Sequence, residues 1–187
     1  LTVLRTLIKI LPNESFIYFG DTAHVPYGTK SAETVTLYSR HILDFFLKFK
    51  TKAVVIACNT ASAVAFSTLK KNYNLPLFDV VSPSVDYSLQ ISKSKKIGVI
   101  GTFSTVNSKA YSEKFYAADK SFQVYEVACP LFVPLIEEGW QDSSIATEIA
   151  KVYLDEFSDK GIDTLILGCT HYPIMAETIR SVLPPHI

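Results

Sequence analysis

The chain has 187 residues, of which 48% are hydrophobic and 19% charged, and its 18 basic residues balance its 18 acidic residues. This apolar content excludes a disordered chain, and the balanced charge offers no basic surface for nucleic acid or for an anionic membrane. Three cysteines, an odd number, exclude a disulfide scaffold and indicate a reducing, cytoplasmic setting. The only methionine is Met175, so we expect a fragment or a processed chain.

Short apolar runs alternate with longer segments of helical spacing along the whole chain. The first eleven residues predict an amphipathic helix whose apolar side chains share one face: Leu1, Leu4, Leu7, Ile8 and Leu11. The predicted strands are residues 16–19, 53–57, 77–81, 97–100, 124–127 and 164–167. The other predicted helices are residues 32–49, 60–71, 105–117, 143–157 and 174–183. This alternation predicts an α/β fold with doubly wound parallel sheet.

The polar stretch at residues 92–96 (SKSKK) is the predicted linker. It divides the chain into two lobes of nearly equal size, residues 1–91 and 92–187. Ligands of open α/β sheets bind beyond the carboxyl ends of the strands. The residues that follow the predicted strands are mostly small, polar or thiol-bearing, which suits a small anionic ligand.

The most informative feature is a repeat around two cysteines. AVVIACNTAS (residues 53–62) and TLILGCTHYP (residues 164–173) share a buried strand, a small residue, a cysteine and the start of a helix. A pseudo-twofold arrangement of the lobes would bring Cys58 and Cys169 face to face. We expect the N-terminus of each following helix to favour the thiolate and to lower its pKa. Cys129 is interpreted as a buried structural residue, as most free cysteines are.

Two opposed thiols without a cofactor fit few reactions. A hydrolase needs one cysteine beside a base, and a disulfide oxidoreductase usually carries C-x-x-C. A zinc site would lack a fourth ligand beside Cys58, Cys169 and His171. Inversion at a carbon, in contrast, needs one group to remove a proton from one face and a second group to deliver a proton to the other. We therefore favour stereoinversion and expect neither a metal nor a cofactor.

Five motifs make the sequence resemble the cofactor-independent aspartate/glutamate racemase family. They occur in the family's order and spacing: GDTAHVPYGTKS, ACNTASA, IGTFSTVNS, ACPLFVPLIEEG and LGCTHYP. The resemblance implies two pseudo-symmetric α/β lobes, each with a mostly parallel sheet flanked by helices, and an active site in the cleft between them. It also implies the interconversion of L- and D-glutamate, which supplies D-glutamate for peptidoglycan synthesis. The implied partner is this small-molecule substrate, and a homodimer is compatible with the family.

The resemblance also assigns site residues. Cys58 and Cys169 match the two catalytic thiols, of which the first takes the proton from D-glutamate and the second from L-glutamate. His171 and Glu137 match polar groups that assist Cys169. The residues that match the family's substrate-binding positions are Pro26, Tyr27, Gly28, Asn59, Thr60, Thr102, Thr105 and Thr170. His24 stands where the family often has Arg, and we give it no catalytic role.

The chain departs from the family pattern at both ends. The family begins with a strand ending in Asp-Ser-Gly, which is absent here, and it continues beyond the position of Ile187. We therefore expect the middle of a longer protein, lacking a central strand of its first lobe. An aspartate racemase of the same family and a non-catalytic ligand-binding relative stay open as alternatives.

Overall fold

Two parallel sheets form the centre of the computed structural model, which describes residues 2–187. In the first lobe, β1 (Val54–Val55) pairs with β2 (Leu77–Phe78). In the second lobe, β3 (Lys96–Gly101) lies between β4 (Gln123–Ala128) and β5 (Thr164–Gly168). Helices flank both sheets, so the predicted α/β fold with two lobes is confirmed.

Helices connect the strands and cover the sheets. Before β3 they are α1 (Thr2–Ile10), α2 (Ala32–Phe46), α3 (Asn59–Val64), α4 (Phe66–Asn72) and α5 (Val81–Ile91). After β3 they are α6 (Phe103–Asn107), α7 (Ala110–Ala118), α8 (Phe132–Glu137), α9 (Ser144–Leu154) and α10 (Ala176–Ser181). Short 3-10 helices follow α2 and α9 and precede α10: Leu47–Phe49, Asp155–Phe157 and Tyr172–Met175. None of the helices within residues 2–187 is long and apolar enough to cross a membrane.

The periodicity places most elements correctly but misses where helices break. The helix predicted at residues 60–71 is divided at Ala65 into α3 and α4, and the one predicted at residues 105–117 is divided between α6 and α7. Lys109 causes the second break because its φ of 56° lies in the left-handed region, which no helix residue adopts. The amphipathic helix at the start is present as α1, whereas Leu1 lies outside the described residues.

The strand predicted at residues 16–19 is wrong. Its four side chains are between 37% and 60% exposed, and no strand within residues 2–187 pairs with it. An apolar run becomes a strand only where a neighbouring backbone satisfies its N–H and C=O groups. Phe19 instead packs on the helix α2, with its ring centroid 5.2 Å from that of Phe45.

The sequence pattern also misses α5 and α8. Each helix carries a proline as its third residue, Pro83 and Pro134, and proline usually indicates a break. In the first turn of a helix, however, the missing N–H has no helical partner to lose. In α5 the carboxylate of Asp79 accepts hydrogen bonds from the N–H groups of Val81 and Ser82, which caps the helix. Val81, predicted as the end of a strand, is therefore the first residue of α5.

The central strand of the second sheet, β3, is buried on both of its faces. Ile97 and Val99 of β3 share one core cluster with Val81 and Val85 of α5, while Ile100 lies in a second cluster on the other face. The first sheet is shorter and more exposed. Its Val55 and Phe78 are 37% and 56% exposed.

The predicted linker at residues 92–96 is a fixed turn. The carboxylate of Asp163 accepts hydrogen bonds from the Ser92 hydroxyl at 2.7 Å and from the N–H groups of Lys93 and Ser94 at 2.8 and 2.7 Å. Burial opposes ionisation of this carboxyl, but the donors outweigh it and hold the pKa of Asp163 below its usual range. The division into residues 1–91 and 92–187 stays a prediction.

Candidate functional site

The two predicted thiols stand where a strand gives way to a helical segment. Cys58 is the extended N-cap residue of α3 and follows β1 after a short loop. Cys169 comes directly after β5, and a turn and the 3-10 helix Tyr172–Met175 follow it. Both are free thiols; Cys58 is half-buried and Cys169 is buried.

Burial governs the protonation of these two thiols. It raises the pKa of Cys58, although the backbone N–H groups of Ala61 and Thr60 and the Thr60 hydroxyl partly offset the effect. It also raises the pKa of Cys169 to about 12. The expected lowering of both pKa values by the helix N-termini is therefore wrong, because the loss of water around each sulfur outweighs the helix field.

Contacts between their neighbours in the fold indicate that the two thiols share one site. Gly168, directly before Cys169, pairs with Gly101 of β3, and the hydroxyl of the next residue, Thr102, lies 3.0 Å from that of Thr60, two residues after Cys58. The causes of the Cys169 pKa agree with this placement: after burial, the backbone N–H of His171 lowers the pKa and a negative charge on Cys58 raises it. The third thiol, Cys129, is fully buried, and burial raises its pKa to about 12.

Three threonine hydroxyls join the carboxyl end of the second sheet to the start of α3. The Thr60 oxygen lies 3.0 Å from that of Thr102 and 3.4 Å from that of Thr105. Thr102 and Thr105 are 3.0 Å apart, and Thr102 also caps α6 by accepting the Thr105 N–H. The structure therefore brings together three predicted binding residues from two lobes.

The predicted substrate loop, Pro26 to Gly28, lies against the second lobe. The carbonyl oxygen of Gly28 accepts hydrogen bonds from the Ser104 N–H at 3.1 Å and from its hydroxyl at 3.0 Å. A Cβ atom on Gly28 would lie 2.6 Å from the Thr102 side chain, so only glycine permits this close approach. Pro26 is exposed, whereas Tyr27 and Gly28 are half-buried.

Tyr27 is supported by a cluster that the sequence reasoning did not assign to the site. Its hydroxyl donates to one oxygen of Asp21, and the other oxygen of Asp21 lies 2.7 Å from His24 Nδ1. The His24 ring stacks on Tyr38 with their centroids 4.0 Å apart. Burial is the main cause that raises the pKa of Tyr27, followed by the bond to Asp21, and a charge on Cys58 adds to them. Tyr27 therefore stays neutral beside Cys58.

On the other side of the site, a histidine connects Cys169 to an acid. His171 Nδ1 lies 3.8 Å from the sulfur of Cys169, and its Nε2 lies 3.4 Å from an oxygen of Glu137. The Glu137 side chain is 57% exposed, so solvent strongly weakens this contact. Thr170, which lies between Cys169 and His171 in the sequence, is half-buried. Its carbonyl oxygen accepts a hydrogen bond from the hydroxyl of Thr2 at 3.5 Å.

One buried contact of the site has no signal in the sequence. The side-chain amide of Asn59 donates from Nδ2 to the hydroxyl of Tyr111 at 2.9 Å. Tyr111 stands among apolar residues at helical spacing in α7, which indicates nothing more than a core position. Within residues 2–187 no group of three or more His, Cys, Asp and Glu side chains is arranged to hold a metal ion.

The fold and the site define a class of protein: two α/β lobes, each with a free cysteine where a strand gives way to a helical segment. The family model for Asp/Glu/hydantoin racemases matches residues 2–187. A curated glutamate racemase from Sulfurihydrogenibium is 46% identical over 98% of this chain and 71% of its own length. Another from Geobacter metallireducens is 48% identical over 98% of this chain and 68% of its own. This chain belongs to the Asp/Glu/hydantoin racemase family.

Solved structures agree with this assignment. A glutamate racemase isoform from Bacillus anthracis superposes with a TM-score of 0.96 at 35% identity, covering all of this chain and 70% of that one. The glutamate racemase from Francisella tularensis, solved in complex with D-glutamate, gives a TM-score of 0.92 at 42% identity. It covers 97% of this chain and 68% of its own.

Proposed function

We propose that this chain acts as a glutamate racemase, which interconverts L- and D-glutamate in the cytoplasm and so supplies D-glutamate for peptidoglycan synthesis. The observation that carries the proposal is the pair of free thiols, Cys58 at the start of α3 and Cys169 after β5, whose neighbouring residues are joined by the contact between the Thr60 and Thr102 hydroxyls. Relatives named glutamate racemase are 46% and 48% identical over nearly the whole chain, and this supports glutamate as the substrate.

The reaction moves one proton at a time at the α-carbon. From D-glutamate, the thiolate of Cys58 removes the α-proton, and the electron pair of the broken C–H bond is left on the substrate. The thiol of Cys169 then gives its proton to the opposite face and becomes a thiolate. From L-glutamate the two thiols exchange roles. One C–H bond breaks and one forms, so no oxidant or reductant is required.

The surrounding residues have distinct roles in this proposal. The hydroxyls of Thr60, Thr102 and Thr105 and the amide of Asn59 bind the polar groups of the substrate. The substrate's ammonium group favours a nearby thiolate, which counteracts the burial that keeps both thiols protonated. The dipoles of the threonine hydroxyls and of the Asn59 amide also stabilise the negative charge that develops on the substrate when the proton leaves.

Around each thiol we propose a different helper. The loop of Pro26, Tyr27 and Gly28 closes over the Cys58 side and excludes water. Thr170 contacts the substrate beside Cys169. His171, supported by Glu137, exchanges protons with Cys169 between turnovers. A homodimer stays a prediction that analytical ultracentrifugation can test.

The test is α-proton exchange in D2O, followed by proton NMR and chiral chromatography. L-glutamate, D-glutamate, L-aspartate and D-aspartate are each incubated with the protein and no added cofactor. We expect both glutamate enantiomers to lose the α-proton and to invert, while aspartate does neither. Exchange of aspartate in place of glutamate would favour the aspartate racemase alternative.

A matched control uses the third cysteine. Cys129→Ala removes a fully buried thiol that has no part in the proposed reaction, so we expect this variant to keep its activity. If the unmodified protein exchanges and inverts no amino acid while its circular dichroism spectrum is that of a folded α/β protein, the proposal is wrong.

A further inference from the structure

We propose that Tyr111 is a positioning residue that connects the segments around Cys58 and Cys169 (the two cysteine turns). Its hydroxyl fixes Asn59, and its ring packs against Gly168. The consequence for the reaction rate rests on the proposed racemase function. The consequence for the reactivity of the thiols does not, and it can be measured separately.

The hydroxyl of Tyr111 holds the turn that contains Cys58. Tyr111 is the second residue of α7 and is fully buried. Its oxygen lies 2.9 Å from Asn59 Nδ2, and Asn59 is the first residue of α3, directly after Cys58. Both groups are buried, so the loss of the Tyr111 hydroxyl removes the partner that Asn59 Nδ2 has in the fold.

The ring of Tyr111 packs against the turn that contains Cys169. Gly168 is the last residue of β5, directly before Cys169. A Cβ atom at Gly168 would lie 3.3 Å from Tyr111 Cε2 and 2.6 Å from the carbonyl oxygen of Ile100. The tyrosine ring and the β3 backbone therefore leave no room for a side chain there. One side chain thus contacts the neighbour of each thiol.

The electrostatics of Tyr111 agree with this central position. Burial raises its pKa to about 12, the bond from Asn59 lowers it, and negative charge on Asp79 and Cys169 raises it again. Tyr111 therefore stays a neutral phenol near pH 7, which accepts the amide hydrogen without adding a charge to the cleft.

Fixing Asn59 has a consequence for Cys58. The N–H groups of Thr60 and Ala61, the next two residues of α3, favour the Cys58 thiolate. The direction in which these two N–H groups point depends on the position of Asn59, the first residue of α3. The hydrogen bond from Asn59 to Tyr111 fixes that position. Loss of the phenol hydroxyl should therefore make Cys58 harder to ionise while the ring keeps Gly168 and Cys169 in place.

The test is alkylation by iodoacetamide between pH 6 and pH 11, with Cys58 and Cys169 followed separately by peptide mass spectrometry. In Tyr111→Phe we expect the Cys58 profile to move to higher pH and its rate at pH 8 to fall about three- to tenfold, since only the thiolate reacts. The Cys169 profile stays where it is. Tyr125→Phe, which removes an exposed hydroxyl bonded to Gln123, is the matched control and changes neither profile.

A double-mutant cycle separates positioning from a general loss of stability. If Tyr111 acts through Asn59, then Tyr111→Phe has no further effect on Cys58 alkylation in an Asn59→Ala background. Additive effects of the two substitutions would overturn the proposal. An unchanged Cys58 profile in Tyr111→Phe alone would overturn it as well.

The rate of racemisation is a second measurement, independent of the alkylation profiles. In Tyr111→Phe we expect kcat/KM to fall about tenfold, and equally in both directions, because the equilibrium constant between enantiomers is unity. The limb of the pH profile on the acid side moves to higher pH. If the unmodified protein does not racemise glutamate, the proposed function fails, and the alkylation experiment still decides the role of Tyr111.

Discussion

The two cysteine turns share a layout in the sequence but differ in their surroundings. Cys58 is a half-buried N-cap residue, and the backbone N–H groups of α3 and the Thr60 hydroxyl favour its thiolate. Cys169 is 7% exposed and is followed by a turn, with the His171 imidazole 3.8 Å from its sulfur. The same strand–cysteine pattern therefore produces two different environments.

The groups beside the two thiols differ in whether they can accept and release a proton. Backbone N–H groups stabilise a thiolate but cannot take up or release a proton near pH 7. An imidazole can do both, because its ordinary pKa is near neutrality. In the proposed mechanism the two thiols are equivalent in the net reaction, and we propose that they differ in how each returns to its starting protonation state.

The largest expected effect comes from removing either sulfur. Cys58→Ala and Cys169→Ala should each lower inversion at least about a thousandfold, because each lacks the proton donor or acceptor on one face. Each variant should keep exchange without inversion for one enantiomer, L-glutamate in Cys58→Ala and D-glutamate in Cys169→Ala. NMR in D2O and chiral chromatography measure both quantities. Inversion at the unmodified rate in either variant would contradict the two-thiol mechanism.

A smaller effect should distinguish the two sides. His171→Asn keeps a polar side chain but cannot carry a proton at pH 7, so we expect a loss of about tenfold in racemisation. The loss should appear in the exchange of L-glutamate in the Cys58→Ala background and not in that of D-glutamate in the Cys169→Ala background. His41→Asn, on the exposed face of α2, is the control. Equal losses on both sides would show that His171 does not serve Cys169 specifically.

The smallest effect should leave both cysteine turns untouched. Asp163 precedes β5, at the end opposite to Cys169, and ties down the turn before β3. Asp163→Asn should lower the free energy of unfolding by about 1–2 kcal/mol at pH 7, since hydrogen bonds to a charged acceptor are lost. Urea unfolding measures this loss, and the alkylation profiles of Cys58 and Cys169 should not change.

The sign of the pH dependence follows from the lowered pKa of Asp163. A carboxyl group with a lowered pKa in the folded state stabilises the protein above its unfolded pKa, about 3.9, and loses this contribution as the pH falls through the folded value. The difference between the unmodified protein and Asp163→Asn should therefore shrink below about pH 4. A difference that is as large at pH 2 as at pH 7 would show that the carboxylate charge has no part in it.

Local patterns in the sequence predicted the strands of the second sheet. The strands β3 and β5 are covered by helices on both faces, so their continuous apolar runs are unambiguous. Residues 16–19 have an equally apolar run, but no strand within residues 2–187 lies beside it. Whether such a run forms a strand depends on a neighbouring backbone, which the run itself does not encode.

The short helices and the pKa values of the thiols were also harder to predict, because they too depend on surroundings that the local sequence does not encode. Pro83 and Pro134 indicate a break in sequence, although both stand in the first turn of a helix, where proline is tolerated. A cysteine at a helix start predicts a lowered pKa, but burial by the rest of the fold reverses the direction for Cys58 and Cys169.

The sequence by itself determined the α/β alternation, the cysteine that follows each of two strands and the motifs of the racemase family, because these depend on residues close together in the chain. Only the tertiary structure decided that Tyr111 meets Asn59, 52 positions away, and that the hydroxyls of Thr60 and Thr102 lie 3.0 Å apart. Such contacts depend on how helices dock on a sheet. They leave no periodicity in the chain, since a buried tyrosine that packs and one that also positions an amide occupy the same kind of core position.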